Sequence, residues 1–512
     1  MSDRKHKRKL FLVSGSMTVF LTTLVLLLVL RPTQGWLTLL EDKWKVLQPR
    51  FFLDTLAHTQ TEGNPERETK TLTYMIDAEL DTQNHELKGH VAVTLPSGNY
   101  RDIPFYLYPS PDQPMRIVSV EWNQRPAHYR VDPNQLQVKL PVSYKGSPTL
   151  DIRFVTPIPR AGTRFGEFNG IWSLDYWYPI VAVQRDGKWI QKPVPKGFGD
   201  PFLMDLANYT VRLRYPKGFT WFASGPAVQE ISYGSQMVTE WKIDSVRNFT
   251  LIGSPTFLKK QWKTADGVDI SVASQTDNHL DQLVDVTKHA IDTYTKRYGA
   301  FAYPVLSVVQ MPEGTVFAHE YPNLALFSRA IWSWGTGERW IAHEIAHAWW
   351  FSSVGTYKAL DPWLDEGLAD YSARLYLEDR YGKERYRAEI KQDWTLFVEQ
   401  RGYSPRDLGR SIGPITKQTT QPYMSFSEED SYYYLEYLRP VLMYHDLRMH
   451  MGDDKFFAFL KQFYLKNRLH TVSRADLEHA LADVAPDEVQ RLNLWLDSPN
   501  QELIAKVQGD FQ

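Results

Sequence analysis

The sequence predicts an α+β protein of several domains: an N-terminal transmembrane helix, then a β-rich domain read as an antiparallel sandwich or saddle, then a mainly helical domain. Three observations carry this. Leu10–Leu30 is a run of 21 uncharged residues; apolar residues alternate at period two between Thr71 and about Pro255; and the spacing turns helical near Asp277. The 512-residue length exceeds one small domain. A hydrophobic content of 43% with 14% aromatic residues is enough for large cores, which excludes a disordered chain. The formal net charge of −2, with no long single-sign tract, excludes a basic nucleic-acid binder. Cysteine is absent, so disulfides are impossible and any zinc site must use imidazole and carboxylate.

Residues 1–9 form a basic tail, with Arg4, Lys5, Lys7, Arg8 and Lys9 around His6. Residues 10–30 would make a helix of about 31 Å, the thickness of a bilayer core. A cleaved signal peptide is the competing reading. Its apolar core usually covers only about 7–15 residues, and this run ends in Arg31-Pro32 without a small-residue cleavage pattern. An uncleaved anchor is therefore expected, with the lipid bilayer as a partner, the basic tail in the cytoplasm and the rest of the chain outside the cell. Residues 31–70 read as a stalk and linker, in which Trp36, Leu40, Trp44 and Leu47 alternate with charged residues.

In residues 71–255, Leu72, Tyr74 and Ile76 alternate with polar residues, as do Val91, Val93 and Leu95, and later Val211, Leu213 and Tyr215. Frequent Pro and Gly between such runs indicate many short antiparallel strands. Asn208 and Asn248 each open a sequon, usable only in a eukaryotic secretory pathway. In residues 256–512, Leu280, Leu283, Val284, Ala290, Ile291 and Tyr294 recur at helical spacing up to Gly299. Val305–Val309 reads as a buried strand and roughly Val316–Phe327 as a second. Helices are expected over about Glu338–Phe351, Trp363–Tyr381 and Lys383–Gln400, then a long loop at 401–430, then helices from 431 to the end. Ser473 with Asp476 three residues on has the form of a cap.

The stretch IAHEIAHAWW, Ile341–Trp350, holds the chemistry. His343 and His347 stand one turn apart on a helix face, so both imidazoles can reach one ion, with Zn–N bonds of about 2.0–2.1 Å. Glu344 is rotated by about 100°, beside the ion, where a base for an activated water belongs. H-E-x-x-H also arises by chance, so the weight falls on a second element. Catalytic zinc commonly takes three protein ligands. Glu366 follows His347 after eighteen residues, within DPWLDEGLADY on its own expected helix. Asp370, one turn after Glu366, either orients a ligand histidine or is a solvated carboxylate.

H-E-x-x-H, eighteen residues, then Glu in Trp363-Leu364-Asp365-Glu366-Gly367-Leu368-Ala369-Asp370-Tyr371 resembles the gluzincin aminopeptidases, the family of aminopeptidase N and leukotriene hydrolase. The likeness covers roughly residues 70–500. It implies a thermolysin-like catalytic domain and one Zn2+ per chain held by His343, His347 and Glu366, with Glu344 as general base on the ion-activated water. Ala318-His319-Glu320-Tyr321-Pro322 occupies the place of the family's G-x-M-E-N element, with Ala for Gly and His for Met. The resemblance makes Glu320 the holder of the substrate's α-ammonium, against a plain solvated glutamate at a strand edge. Trp177-Tyr178-Pro179 and Gly199-Asp200-Pro201-Phe202 resemble the β domain of bacterial members, and Glu167 nearby is either a second amine ligand or a surface carboxylate. The family's transition-state tyrosine is matched best by Tyr437, with Tyr432, Tyr433 and Tyr434 as alternatives. Tyr437-Leu438-Arg439-Pro440 would replace Y-x-K-G. The function implied is a membrane-anchored zinc aminopeptidase acting on peptides with a free N-terminus. A thermolysin-type endopeptidase and a non-catalytic peptide- or partner-binding ectodomain stay open as alternatives.

Overall fold

The computed structural model describes residues 71–511 apart from 109–112, 133, 163, 186, 191–201, 314–317, 334, 359–360 and 400–432. The expected tail 1–9, membrane helix 10–30, linker 31–70 and loop 401–430 lie outside the described residues, as does Tyr432. Among the described residues no helix is long and apolar enough to cross a membrane.

Alternation becomes half-buried sheet as expected. In Glu86–Thr94 the odd positions Leu87, Gly89, Val91 and Val93 are buried, and Leu150, Ile152, Phe154 and Thr156 do the same in Thr149–Pro157. These strands belong to an eight-stranded sheet whose spatial order is 227–233, 236–246, 207–216, 72–81, 86–94, 149–157, 116–122 and 125–126. Two four-stranded sheets share its core, through Phe105 and Leu136 of one and Leu174 and Leu251 of the other. The large sheet is mixed, whereas an antiparallel one was expected, because Leu72–Asp81 runs parallel to Ala207–Pro216. The long stretch of chain between these strands permits parallel pairing, which a hairpin cannot. Asn248 is fully buried, its side chain bonded to Asp175, Tyr178 and Thr250, so its sequon is closed to a glycan in the folded protein.

Beyond residue 255 the strands Leu258–Lys263, Asp269–Ser274, Val305–Gln310, Leu324–Phe327 and Ala318–Tyr321 lie in that spatial order. The single strand expected over Val316–Phe327 is instead a hairpin. Pro322 cannot donate to a ladder, and Asn323 takes φ 62°, so Tyr321-Pro322-Asn323-Leu324 turns the chain back. Ala318–Tyr321 thereby becomes an edge strand.

Among the described residues the α-helices are α1 (Leu280–Tyr298), α2 (Gly337–Ala346), α3 (Pro362–Tyr381), α4 (Lys383–Glu399), α5 (Arg439–Met451), α6 (Asp453–Asn467), α7 (Arg474–Val484), α8 (Val489–Asp497) and α9 (Asn500–Val507). The helix expected to run to Phe351 stops at Ala346. The chain then makes an irregular turn, Ala348–Ser353, in which Trp350 leaves helical geometry at φ −108°, ψ 65°. At α7 the expected cap is present as a full capping box between Ser473 and Asp476. Helix α3 is buried on every side from Pro362 to Glu378, so its charged side chains need internal partners. Arg374 meets Asp370 and Asp393, and Glu378 receives two hydrogen bonds from Arg448 at 2.7 and 3.0 Å.

Candidate active site

Helix α2 places His343 and His347 one turn apart, and their Nε2 atoms stand 3.0 Å from each other. Each ring is oriented from behind. His347 Nδ1 lies 3.1 Å from the Trp350 carbonyl, which the irregular turn has freed from the helix ladder. His343 Nδ1 lies 3.5 Å from Asp370 Oδ1, and Asp370 is fully buried, so the solvated reading of this carboxylate is excluded. With both Nδ1–H groups directed outward, both Nε2 lone pairs point inward.

Helix α3 brings Glu366 to the same point. Its Oε2 is 3.3 Å from each Nε2, and all three side chains are buried. Two lone pairs and a carboxylate oxygen repel one another unless a cation lies between them. Glu366 Oε2 receives no hydrogen bond among the described residues. The triangle of 3.0, 3.3 and 3.3 Å fits the edge of about 3.3 Å that tetrahedral bonds of about 2.0–2.1 Å would give. The electrostatics agree in sign. Burial lowers both imidazole pKa values, but the carboxylates reverse it: Asp370 and Glu366 raise His343, and Glu366 pushes His347 up to about 9. For Glu366 burial raises and the histidines lower, leaving its carboxyl well below the ordinary range. The cluster therefore gathers positive charge, and its donor set of two nitrogens and one oxygen suits zinc.

Glu344 is buried beside the triangle without being a corner of it. One of its oxygens lies within 4.8 Å of ligand atoms on both His347 and Glu320. Glu320 sits on the edge strand Ala318–Tyr321 and is 7% exposed, so it is not a solvated strand-edge residue. Its carboxylate forms an ion pair with Lys358, itself 4% exposed. Tyr437 lies in an irregular helical turn, Tyr433–Leu438, and its ring stacks on His343 with centroids 5.8 Å apart. Tyr433 stacks behind Tyr437, and Tyr434 packs edge-on against Tyr433. Glu167 accepts from the Gly170 N–H within its own turn and pairs with His85 at 3.3 Å, both contacts inside the β domain.

Two features escaped the sequence reading. The Trp350 carbonyl has no sequence signal, because it depends on where the helix breaks. Lys358 is the lone cation of the stretch VGTYKALDPW, between the two ligand helices, but its burial has no sequence signal either.

The chain resembles known proteins in sequence and in fold. Residues 283–495 match the model of the peptidase family M1 domain. Human aminopeptidase O is 24% identical over 197 residues, 35% of this chain and 24% of the relative. Aminopeptidase N of Lactococcus lactis subsp. lactis is 24% identical over 268 residues, 48% of this chain and 30% of the relative. The chain thus spans about a quarter to a third of these curated relatives. Among solved structures, an M1 zinc metallopeptidase from Deinococcus radiodurans superposes with a TM-score of 0.61 at 17% identity, covering 84% of this chain and 95% of that one. Legionella pneumophila aminopeptidase A in complex with aspartic acid gives a TM-score of 0.62 at 14% identity, covering 85% of this chain and 50% of that one. These likenesses show a multidomain α+β fold with a β-rich part ahead of a helical one.

Proposed function

We propose, from the premise that this chain is a member of peptidase family M1, the zinc metallopeptidases of the aminopeptidase N type, that it removes the first residue of peptides with a free N-terminus. The observation that carries the reading is the buried Glu320 carboxylate, on an edge strand and within 4.8 Å of groups on Glu344 and His347. An edge strand can pair with an extended peptide, and a carboxylate at the end of that path holds an ammonium. Only the first peptide bond then reaches the metal ligands. A Deinococcus radiodurans M1 zinc metallopeptidase variant has been solved bound to a Tyr-Ser-Ala substrate, which supports peptides as the substrate class.

Zinc held by His343, His347 and Glu366 would supply a Lewis acid that polarises the scissile carbonyl and lowers the pKa of water toward about 7. The remaining work falls to the chain. Glu344 takes the proton of the attacking water and hands it to the departing amine. The Tyr437 phenol donates a hydrogen bond to the carbonyl oxygen as negative charge grows there. Asp370 and the Trp350 carbonyl hold the two imidazoles so that Nε2 faces inward.

The test is a panel of aminoacyl arylamides and their N-acetylated forms, with chelator and with restored zinc. Cleavage of the free-amine forms alone is expected. Equal cleavage of the acetylated forms would move the protein to the endopeptidases, and full activity of Glu344→Gln would remove the assigned base. We further propose that residues 10–30 anchor the chain, with residues 71–512 outside the cell; the support is the uncharged run and the basic tail. The protein should stay in the membrane pellet after alkaline carbonate. Its release would refute the anchor.

A further inference from the structure

The turn that orients His347 is gripped by a residue of the β domain. Where α2 stops, the Ser352 N–H reaches back five residues to the His347 carbonyl at 2.9 Å. A buried backbone carbonyl needs a donor, and each carbonyl of this turn can be followed to one. Ala348 accepts from the Ser353 hydroxyl at 2.8 Å, Trp349 from the Val354 N–H, and Ser353 from the Leu469 N–H at 2.7 Å. The Trp350 carbonyl faces His347 Nδ1. Phe351 and Ser352 are left, and both residues are buried. Arg247, the residue after strand 236–246, meets them. Its Nη1 donates to the Phe351 carbonyl at 3.2 Å and lies 3.5 Å from the Ser352 carbonyl. Its Nη2 donates to the His470 carbonyl at 2.9 Å and to the Thr471 hydroxyl at 3.0 Å. The Tyr303 hydroxyl also lies 3.1 Å from the Ser352 carbonyl, so of the two the Phe351 carbonyl depends more on Arg247.

That dependence reaches the metal ligand through one peptide unit. In a regular helix successive carbonyls point the same way along the axis. Here Trp350 and Phe351 both leave helical geometry, and their carbonyls go to different partners, one to His347 and the other to Arg247. Without the guanidinium the Phe351 carbonyl is buried and unbonded, a state the turn relieves by rotating back toward the helical ladder. That rotation takes the Trp350 carbonyl off His347. Gly355 shows how closely the arginine is fitted. A Cβ built there would stand 1.8 Å from Arg247 Cζ and 2.1 and 2.2 Å from its terminal nitrogens. Gly355 lies in the short strand Val354–Gly355, so the space taken by the guanidinium excludes a side chain there.

We propose that Arg247 is a positioning residue for the metal centre: by holding the Phe351 and Ser352 carbonyls it keeps the Trp350 carbonyl on His347 Nδ1, so that a side chain of the β domain sets the orientation of a ligand on α2. The inference rests on the proposed zinc site of His343, His347 and Glu366, and not on the substrate.

Two readouts on the full-length protein test it: zinc affinity of the folded protein by chelator competition, and urea unfolding of the zinc-free form. The zinc affinity of Arg247→Met should fall about tenfold, the lower end of the usual loss for an outer partner, because the arginine acts through the Trp350 carbonyl. Arg247→Lys should recover part of it, since an ammonium can reach the turn but lacks the fork that also serves His470. Gly355→Ala keeps the arginine but occupies its place, and should reproduce the loss. Thr471→Val removes one acceptor of Nη2, leaves the turn bonds intact, and should bind zinc as the parent does. A role in fold stability alone would lower the urea midpoint and leave the zinc affinity of the folded protein unchanged. Parental zinc affinity in folded Arg247→Met or Gly355→Ala therefore overturns the proposal. Should Arg247→Met not fold, Arg247→Lys and Gly355→Ala decide in the same way. A loss in Thr471→Val as large as in Arg247→Met also overturns it, because affinity would then follow the joint with the His470–Thr471 strand and not the turn. Zinc affinity that depends on Arg247, in a protein that cleaves no free-amine arylamide, upholds this assignment and sinks the aminopeptidase reading. Cleavage of those substrates with zinc affinity indifferent to Arg247 does the reverse.

Discussion

Replacing Asp370 by asparagine should weaken zinc binding while leaving all three proposed ligands in place. Asp370 Oδ1 is 3.5 Å from His343 Nδ1, long for a hydrogen bond, so its effect on the ring is mostly that of a buried charge. Asparagine keeps the oxygen and loses the charge. Removing such an outer partner typically costs about 10–100-fold in metal affinity, or about 1.4–2.7 kcal/mol. Because the charge carries most of the effect, the loss should fall in the upper half of that range. The same change also strips one carboxylate from Arg374, which is fully buried and keeps Asp393 at 3.0 and 3.1 Å. A lost charge-assisted bond costs about 1.5–3 kcal/mol of fold stability, so affinity and stability must be measured apart. Competition with a chromophoric chelator gives the zinc affinity of the folded protein, and urea unfolding of the zinc-free form gives the stability. A folded Asp370→Asn protein that holds zinc as tightly as the parent would refute the orienting role.

The tyrosines separate by contact. Tyr437→Phe should lower kcat/KM by about 10²–10³ with little change in KM, the usual loss for one oxyanion donor, whereas Tyr434→Phe should leave kcat nearly intact; steady-state kinetics on one aminoacyl arylamide decides between them. His445 governs part of the acid sensitivity. Burial and the Arg448 charge push it down to about 4 from 6.5, and its Nδ1 lies within hydrogen-bond distance, 2.8 Å, of the Tyr386 hydroxyl. The unfolded chain then binds this proton below pH 6.5 while the native protein resists until about 4, so stability falls across that window as pH drops. The slope is about 1.4 kcal/mol per pH unit, about 2 kcal/mol by pH 5, and urea unfolding of His445→Gln should show a correspondingly flatter dependence between pH 7 and 5.

Local patterns made the elements legible. Period-two alternation in Glu86–Thr94 and the Ser473–Asp476 cap depend on neighbours in sequence, and both appear in the structure. The three proposed metal ligands were legible because helical spacing fixes His343 against His347. What brings Glu366 back to them is the return of α3, which the sequence marks only by a second motif. The parallel pairing of Leu72–Asp81 with Ala207–Pro216 was not legible, since partner choice is settled by the whole core. Nor were the helix stop at Ala346 and the Glu320–Lys358 pair. The first depends on Trp350 and Phe351 packing where a regular helix would not put them. The second depends on burial, which a lone lysine in sequence does not announce.

The distance between the metal ligands and Tyr437 is set by a glycine. Gly367 follows Glu366 on α3, and a Cβ built there would stand 2.3 Å from Pro440 Cβ and 3.0 Å from its Cγ. Pro440 is the second residue of α5, three residues after Tyr437. Carbon atoms in ordinary contact sit about 3.5–4 Å apart, so Gly367→Ala must push α3 and the 437–440 segment apart by an amount on the order of 1 Å. Two stability terms oppose each other. Alanine gains about 1 kcal/mol of helix propensity over glycine, and overpacking costs about 1–3 kcal/mol. The net change in unfolding free energy should therefore be small and unfavourable. Activity has no such compensation, because a displacement of about 1 Å in a catalytic group can cost about 10²-fold. The expected signature is a modest fall in urea midpoint with a large fall in kcat. A Gly367→Ala protein with parental kcat would mean that Tyr437 is positioned by something other than the Gly367–Pro440 contact.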